Sequence, residues 1–151
     1  GECNRVQVSS MIPPGCRLIE REAGIKELRG GQILFAVLGP VETMEAGQHI
    51  AAAVAVAIPD DGGTGCIAEV FGEEGIGKTA DQAARQAQTM ALEMLAMRLG
   101  IRFDPQKKYR KGKKTYRIGE TTVRAEQVSI EALGDERNRV TNILAALVFL
   151  P

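Results

Sequence analysis

The sequence predicts an α+β fold, with an antiparallel or mixed sheet packed by helices. Three observations point there. Strand-like runs dominate the 151 residues. One long helical period, 79–99, follows the third of these runs. The order of strands and helix does not alternate regularly, which argues against a doubly wound parallel sheet. A chain of this length is expected to form one domain, residues 1–151, with a substantial core.

Residues 4–9 alternate in polarity and read as a strand, interrupted by Pro13, Pro14 and Gly15. Gly30 and Gly31 mark a turn before 32–38, a continuous apolar run expected to be a buried strand. Gly39 and Pro40 are expected to begin a loop that lasts to Gly47. Residues 50–58 read as a second buried strand. Alanine is a poor strand former, so its abundance there implies close approach of another layer or subunit, with a short buried helix as the alternative. A loop at 59–63 leads to a third strand at 65–71.

In the helix 79–99, Ala80, Ala83, Ala84, Ala87, Ala91, Met94, Leu95 and Arg98 fall on one face, which is apolar and thin. Thr79 with Gln82 has capping-box spacing, and Gly100 is a plausible cap at the other end. An exposed basic loop at 107–114 is expected to enter a hairpin at 115–123, with Gly119 at its middle. Residues 128–133 and 140–150 read as further strands. No internal repeat is present.

Apolar residues make up 44% of the chain and charged residues 25%, ordinary values for a globular protein. Nineteen basic side chains balance 19 acidic ones, so whole-chain charge favours neither nucleic acid nor membrane. No apolar run approaches the roughly 18 residues of a spanning helix. Cys3, Cys16 and Cys66 lack C-x-x-C spacing and have only His49 as a histidine companion. No metal site and no disulfide framework are expected; reduced thiols in a cytoplasmic protein are. The chain begins at Gly1, and an upstream segment is expected to precede it.

The chemistry centres on Ser9-Ser10, which ends a strand-like run and is followed by Ile12-Pro13-Pro14. A serine hydroxyl can attack the carbonyl before it and convert the amide to an ester, if the oxyanion is stabilised. Elimination from that ester leaves a dehydroalanine, which hydrolyses to a pyruvoyl group and ammonia. The ketone can form a Schiff base with an amino acid and accept the electrons that decarboxylation releases, as pyridoxal phosphate does elsewhere. The prolyl turn would help to hold the bond in place. Asn4, six residues before Ser10, could donate to the oxyanion if the chain folds so as to bring it there. The bland alternative for the dipeptide is a polar strand end.

The chain resembles the pyruvoyl-dependent arginine decarboxylase family. The matching residues are Val8-Ser9-Ser10-Met11-Ile12-Pro13-Pro14, the run GQHIAAAVAVAIPD at 47–60, and Cys66-Ile67-Ala68-Glu69 before a glycine loop and the long helix. The apolar end, 142–150, resembles the family's final alanine-rich strand. The resemblance implies an αββα-type sandwich of mainly antiparallel sheets flanked by helices. It implies that Ser10 becomes a covalent pyruvoyl cofactor, with 1–9 left as a remnant of a small β chain and 10–151 as the large α chain. Asn4 matches an asparagine implicated in self-cleavage. Glu69 matches the glutamate proposed to protonate the substrate carbanion; its alternative is an exposed strand carboxylate. The implied reaction is L-arginine to agmatine and carbon dioxide. The implied assembly is a homotrimer or a dimer of trimers with active sites between subunits. Two departures stand out. The family's upstream segment, with an acidic residue that reads the guanidinium, is absent from this chain, and 107–117 looks like an insertion.

Two further functions compete. Residues 72–79 satisfy G-x-x-x-x-G-K-[ST] between a strand and a helix, the context of a phosphate-binding loop with Lys78. Against it stand Glu73 and Glu74, placed where polyphosphate would lie, and the lack of repeated parallel units. The other competitor is a non-catalytic oligomeric relative that keeps the fold. The basic run 107–117, with Tyr109 and Tyr116, could meet nucleic acid or an acidic partner, but a solvated hairpin is expected. His49 could serve as a base or as a structural hydrogen-bonding residue.

Overall fold

The computed structural model describes residues 4–104 and 114–151. Among them are eight strands and two α-helices. A three-stranded sheet has the order β1 (Asn4–Gln7), β3 (Ile33–Thr43), β8 (Thr141–Phe149). A five-stranded sheet has the order β2 (Met11–Ile12), β5 (Gly65–Val70), β4 (His49–Pro59), β7 (Thr121–Leu133), β6 (Thr115–Ile118). Apart from the parallel pair β1–β3, every pairing is antiparallel. The fold is α+β, as the sequence predicts.

Each face of the five-stranded sheet is buried differently. Ala51, Ala53, Ala55 and Ala57 of β4, with Cys66, Ala68 and Val70 of β5, pack under helix α2 (Ala80–Arg98). The helix meets them with Ala83, Ala87, Ala91, Leu92 and Leu95. Alanine on alanine lets helix and sheet approach closely. That close approach explains why an alanine-rich stretch is a strand here: β4 is central, and its backbone groups are paired on both sides. Ile50, Ala52, Val54 and Val56, with Ile67 of β5, face the other sheet and meet Val37, Val41, Ile143 and Ala145.

The structure departs from the sequence-based expectation in four places. First, Gly39 and Pro40 are strand residues within β3, not the start of a loop. β1 pairs only with residues 33–36, so beyond it one edge of β3 is open and a proline there interrupts no ladder. A Cβ at Gly39 would lie 2.9 Å from the Val70 carbonyl and 3.1 Å from that of Ala53, so the glycine allows the sheets to meet. Second, residues 121–133 form one long strand rather than two pieces. Third, helix α1 (Arg21–Glu27) is short, has no buried residue and carries no strong apolar period to announce it. Fourth, β2 is a separate two-residue strand after Ser10.

Most of the basic loop predicted at 107–114 lies outside the described residues. Lys114 and Arg124 both pair with Glu126, and Arg117 pairs with Glu120. Burial raises the Glu126 pKa, but hydrogen bonds from Lys114 and Arg124 outweigh it and hold the carboxyl below its ordinary value. No helix among the described residues is long and apolar enough to cross a membrane.

Candidate active site

The Ser9–Ser10 bond lies where the chain passes from one sheet to the other. On its N-terminal side, the Val8 N–H donates to the Ala36 carbonyl of β3 at 3.1 Å. On its C-terminal side, the Ser10 carbonyl accepts the Ile67 N–H of β5 at 2.9 Å. β2 then continues along β5, with Met11 opposite Cys66 and Ile12 opposite Gly65. The two serines are therefore one of the covalent ties between the two sheets, anchored immediately before and after. Ser9 is exposed and Ser10 half-buried.

Sequence alternation along β5 then decides what else is near. Cys66, Ala68 and Val70 point to α2, which leaves Ile67 and Glu69 facing the three-stranded sheet. Ser10 sits at the position opposite Ile67, so Glu69 is two residues along the same face. Glu69 is half-buried, between its partner Val54 on β4 and Gly39 of β3. Burial pushes its pKa above the ordinary glutamate value. A backbone hydrogen bond opposes the rise, and the negative charge of Glu74 adds to it. Such a carboxyl is suited to hold a proton and give it up.

Asn4 is placed differently from Glu69. It starts β1, opposite Ile33, and the ladder keeps the backbone extended as far as Val8. Four extended residues span about 13 Å. The chain does not fold back, so the backbone of Asn4 stays remote from the Ser9 carbonyl of the same molecule. His49 is exposed and lends its carbonyl to the Gly77 N–H. Of the thiols, Cys16 is exposed and Cys66 buried, both free, and Cys3 lies outside the described residues. Burial raises the Cys66 pKa and the Arg98 guanidinium opposes that rise.

The phosphate-loop alternative for 72–79 is not supported by the geometry. A phosphate loop aims free backbone N–H groups at its ligand. Here Gly72–Gly75 is a 3₁₀ turn, and the following amides are engaged within the protein. Glu74 donates to Phe71, Ile76 to Glu73 and Gly77 to His49. Thr79 forms the capping box with Gln82, and the Ala80 N–H donates to the Glu131 carboxylate at 2.5 Å. The helix N-terminus is thus already occupied by an anion of the protein itself. The Lys78 ammonium donates to the Glu74 carbonyl.

Two participants were not legible as such in the sequence. The Ile67 amide holds the Ser10 carbonyl, and any residue but proline would supply that N–H. Gly39 faces Glu69, and its only sequence signal is a glycine inside an apolar run.

Comparison with known proteins identifies the family. The whole chain, residues 1–151, matches the family described as pyruvoyl-dependent arginine decarboxylase (PvlArgDC). It is 35% identical over 151 residues to a probable pyruvoyl-dependent arginine decarboxylase of Chloroherpeton thalassium, covering 99% of this chain and 81% of the relative. It is 37% identical to a protein of the same description from Chlorobaculum tepidum, with the same coverage, 99% and 81%. Against the pyruvoyl-dependent arginine decarboxylase of Nitrosopumilus maritimus it is 32% identical over 148 residues, 97% of this chain and 79% of the relative. A match that spans the whole chain, with relatives above 30% identity, places it: the chain belongs to the pyruvoyl-dependent arginine decarboxylase family.

Proposed function

We propose that this chain cuts itself between Ser9 and Ser10, converts residue 10 to a pyruvoyl group and decarboxylates L-arginine to agmatine and carbon dioxide. The observation that carries it is the Ser9–Ser10 bond between the two sheets, with Glu69 on the same face. Arginine as substrate follows the names of the relatives.

The processing chemistry balances with Ser10 and one water. The Ser10 hydroxyl attacks the Ser9 carbonyl, the C–N bond breaks, and an ester with a free amine at residue 10 results. Loss of the Cα proton expels the Ser9 carboxylate and leaves a dehydroalanine. Water then replaces the nitrogen, which departs as ammonia. Both new ends keep an anchor, Val8 on β3 and residue 10 on β5.

The residues present fit the resulting group: the Ile67 N–H would hold the carbonyl of residue 10, and the β2 ladder would fix its direction. A pyruvoyl ketone supplies an electron sink for the carbanion left by carbon dioxide. Glu69 keeps a proton on the same face and delivers it to the substrate carbon. The packed sheets on either side limit water around that carboxyl.

Asn4 assists cleavage from a neighbouring copy, since extended β1 holds its backbone away from the bond in its own chain. A homotrimer or a dimer of trimers with active sites between subunits accommodates this. Exposed Val128, Ile130 and Leu133 on β7 support association between copies. The free thiols of Cys16 and Cys66 fit a reducing, cytoplasmic setting.

Intact-mass analysis of the chain and its Ser10→Ala variant tests the proposal. The wild type is expected to give two fragments, one ending at Ser9 and one starting at a blocked residue 10, together with agmatine from arginine. Ser10→Ala is expected to stay whole and inactive. An uncleaved, inactive wild type, or a decarboxylating Ser10→Ala protein, would overturn it.

A further inference from the structure

We infer that Gly39 is a positioning residue for Glu69: its missing side chain lets β3 seat against β5 and shields the carboxyl from water. The inference rests on Glu69 as the proton donor. At Gly39, a Cβ would come 2.9 Å from the Val70 carbonyl, 3.1 Å from the Ala53 carbonyl and 3.6 Å from Glu69 Cβ. Two of these neighbours are backbone atoms of paired strands, which cannot rotate aside. Any side chain at position 39 must therefore lift β3 away from β5, and the gap opens beside Glu69.

The surroundings show what that gap would change. Packed around Glu69, β3 offers Gly39, with Val37 and Val41 on the same face, and β4 offers Val54; none of these titrates. The charge that bears on Glu69 is that of Glu74, whose carboxylate accepts from the Gln86 amide at 3.1 Å. None of these described neighbours is a cation, so the state of Glu69 depends on how far water is excluded, and Gly39 sets that distance. The same glycine explains why β3 runs straight through a Gly-Pro pair that the sequence alone marks as a loop.

The test is the pH dependence of kcat for the self-processed enzyme with L-arginine. Activity is lost on the alkaline side as Glu69 gives up its proton. Gly39→Ala is expected to move that limb to lower pH. A shift of one unit makes kcat about tenfold lower than wild type above the limb and leaves it nearly unchanged below. KM is expected to change little. Gly134→Ala is the control, because a Cβ there would also meet a backbone carbonyl, that of Glu45. It follows the end of β7, on a different strand from Glu69, and is expected to lower stability without moving the limb.

If Gly39→Ala does not fold, Val54→Ala serves, since it opens space beside Glu69 without lifting a strand; the limb should move the same way. An unmoved limb in folded Gly39→Ala, or in Val54→Ala where the first does not fold, overturns the inference. Glu69→Gln separates this failure from a deeper one. If it processes normally and loses turnover, Glu69 is the donor. If it keeps the alkaline limb, the role given to Glu69 is itself wrong.

Discussion

Ile67 joins the core to the proposed cleavage site, so its truncation should disturb both. The side chain is completely buried and packs among Ile12, Val37, Val54 and Val56 between the sheets. Ile67→Ala removes three carbons, about 2.4 kcal/mol at roughly 0.8 kcal/mol for each buried methylene. The void left behind raises the loss to about 3–4 kcal/mol, within the usual range for such changes. Ile67→Val should cost only about 1 kcal/mol. Both belong in a Ser10→Ala background, where the chain stays whole, at one fixed protein concentration because association adds stability. With a urea slope near 2 kcal/mol per molar, the midpoint should fall by about 1.5–2 M for alanine and about 0.5 M for valine. In the cleavable chain, a loosened β5 weakens the amide's hold on the Ser10 carbonyl. A loss of about 1.4 kcal/mol there slows cleavage about tenfold. Equal urea midpoints for the two variants would refute the packing argument. A destabilised Ile67→Ala that cleaves at the wild-type rate would refute the link to Ser10.

Three other outcomes are expected. Because burial raises the Glu69 pKa in the fold, the protonated form's advantage is complete below the unfolded value, about 4.3, and is lost as pH rises through the folded value. Glu69→Gln should therefore gain thermal stability over wild type across that window and hold the gain above it; a difference that shrinks with rising pH would contradict the burial of the carboxyl. Thr79→Ala breaks the capping box and should cost about 1 kcal/mol, a drop of about 2–4 °C in Tm, with processing unaffected. Chains carrying Asn4→Ala, refolded together with chains carrying Ser10→Ala, should recover cleavage of the Asn4→Ala chains; mass spectrometry showing none would place Asn4's role within its own chain or nowhere.

Some of the candidate site was legible because its residues lie close together in the sequence. Ser9-Ser10 followed by two prolines, and Glu69 in an apolar strand, keep their place and order along the chain, so a resemblance could be read from them. The capping box at Thr79 was legible for the same reason: its partners are three residues apart. Gly39-Pro40 misled because both residues usually mark loops, and what keeps them in a strand lies in another sheet. Residues 72–79 fitted a phosphate-loop spacing, but Glu131, far along the chain, supplies the anion at that helix end.

The sequence by itself determined the fold class, the helix and the family, since each depends on periodicity or on residues close together. Only the tertiary structure decided that the Ser9–Ser10 bond ties two sheets together and that the Ile67 amide holds its carbonyl. It also set Glu69 on the face shared with Ile67, against Gly39, and paired the backbone of Asn4 with Ile33 at the start of β1. These are contacts between strands far apart in sequence, set by register and by how closely two backbones can approach, and neither is written in the local pattern of any one strand.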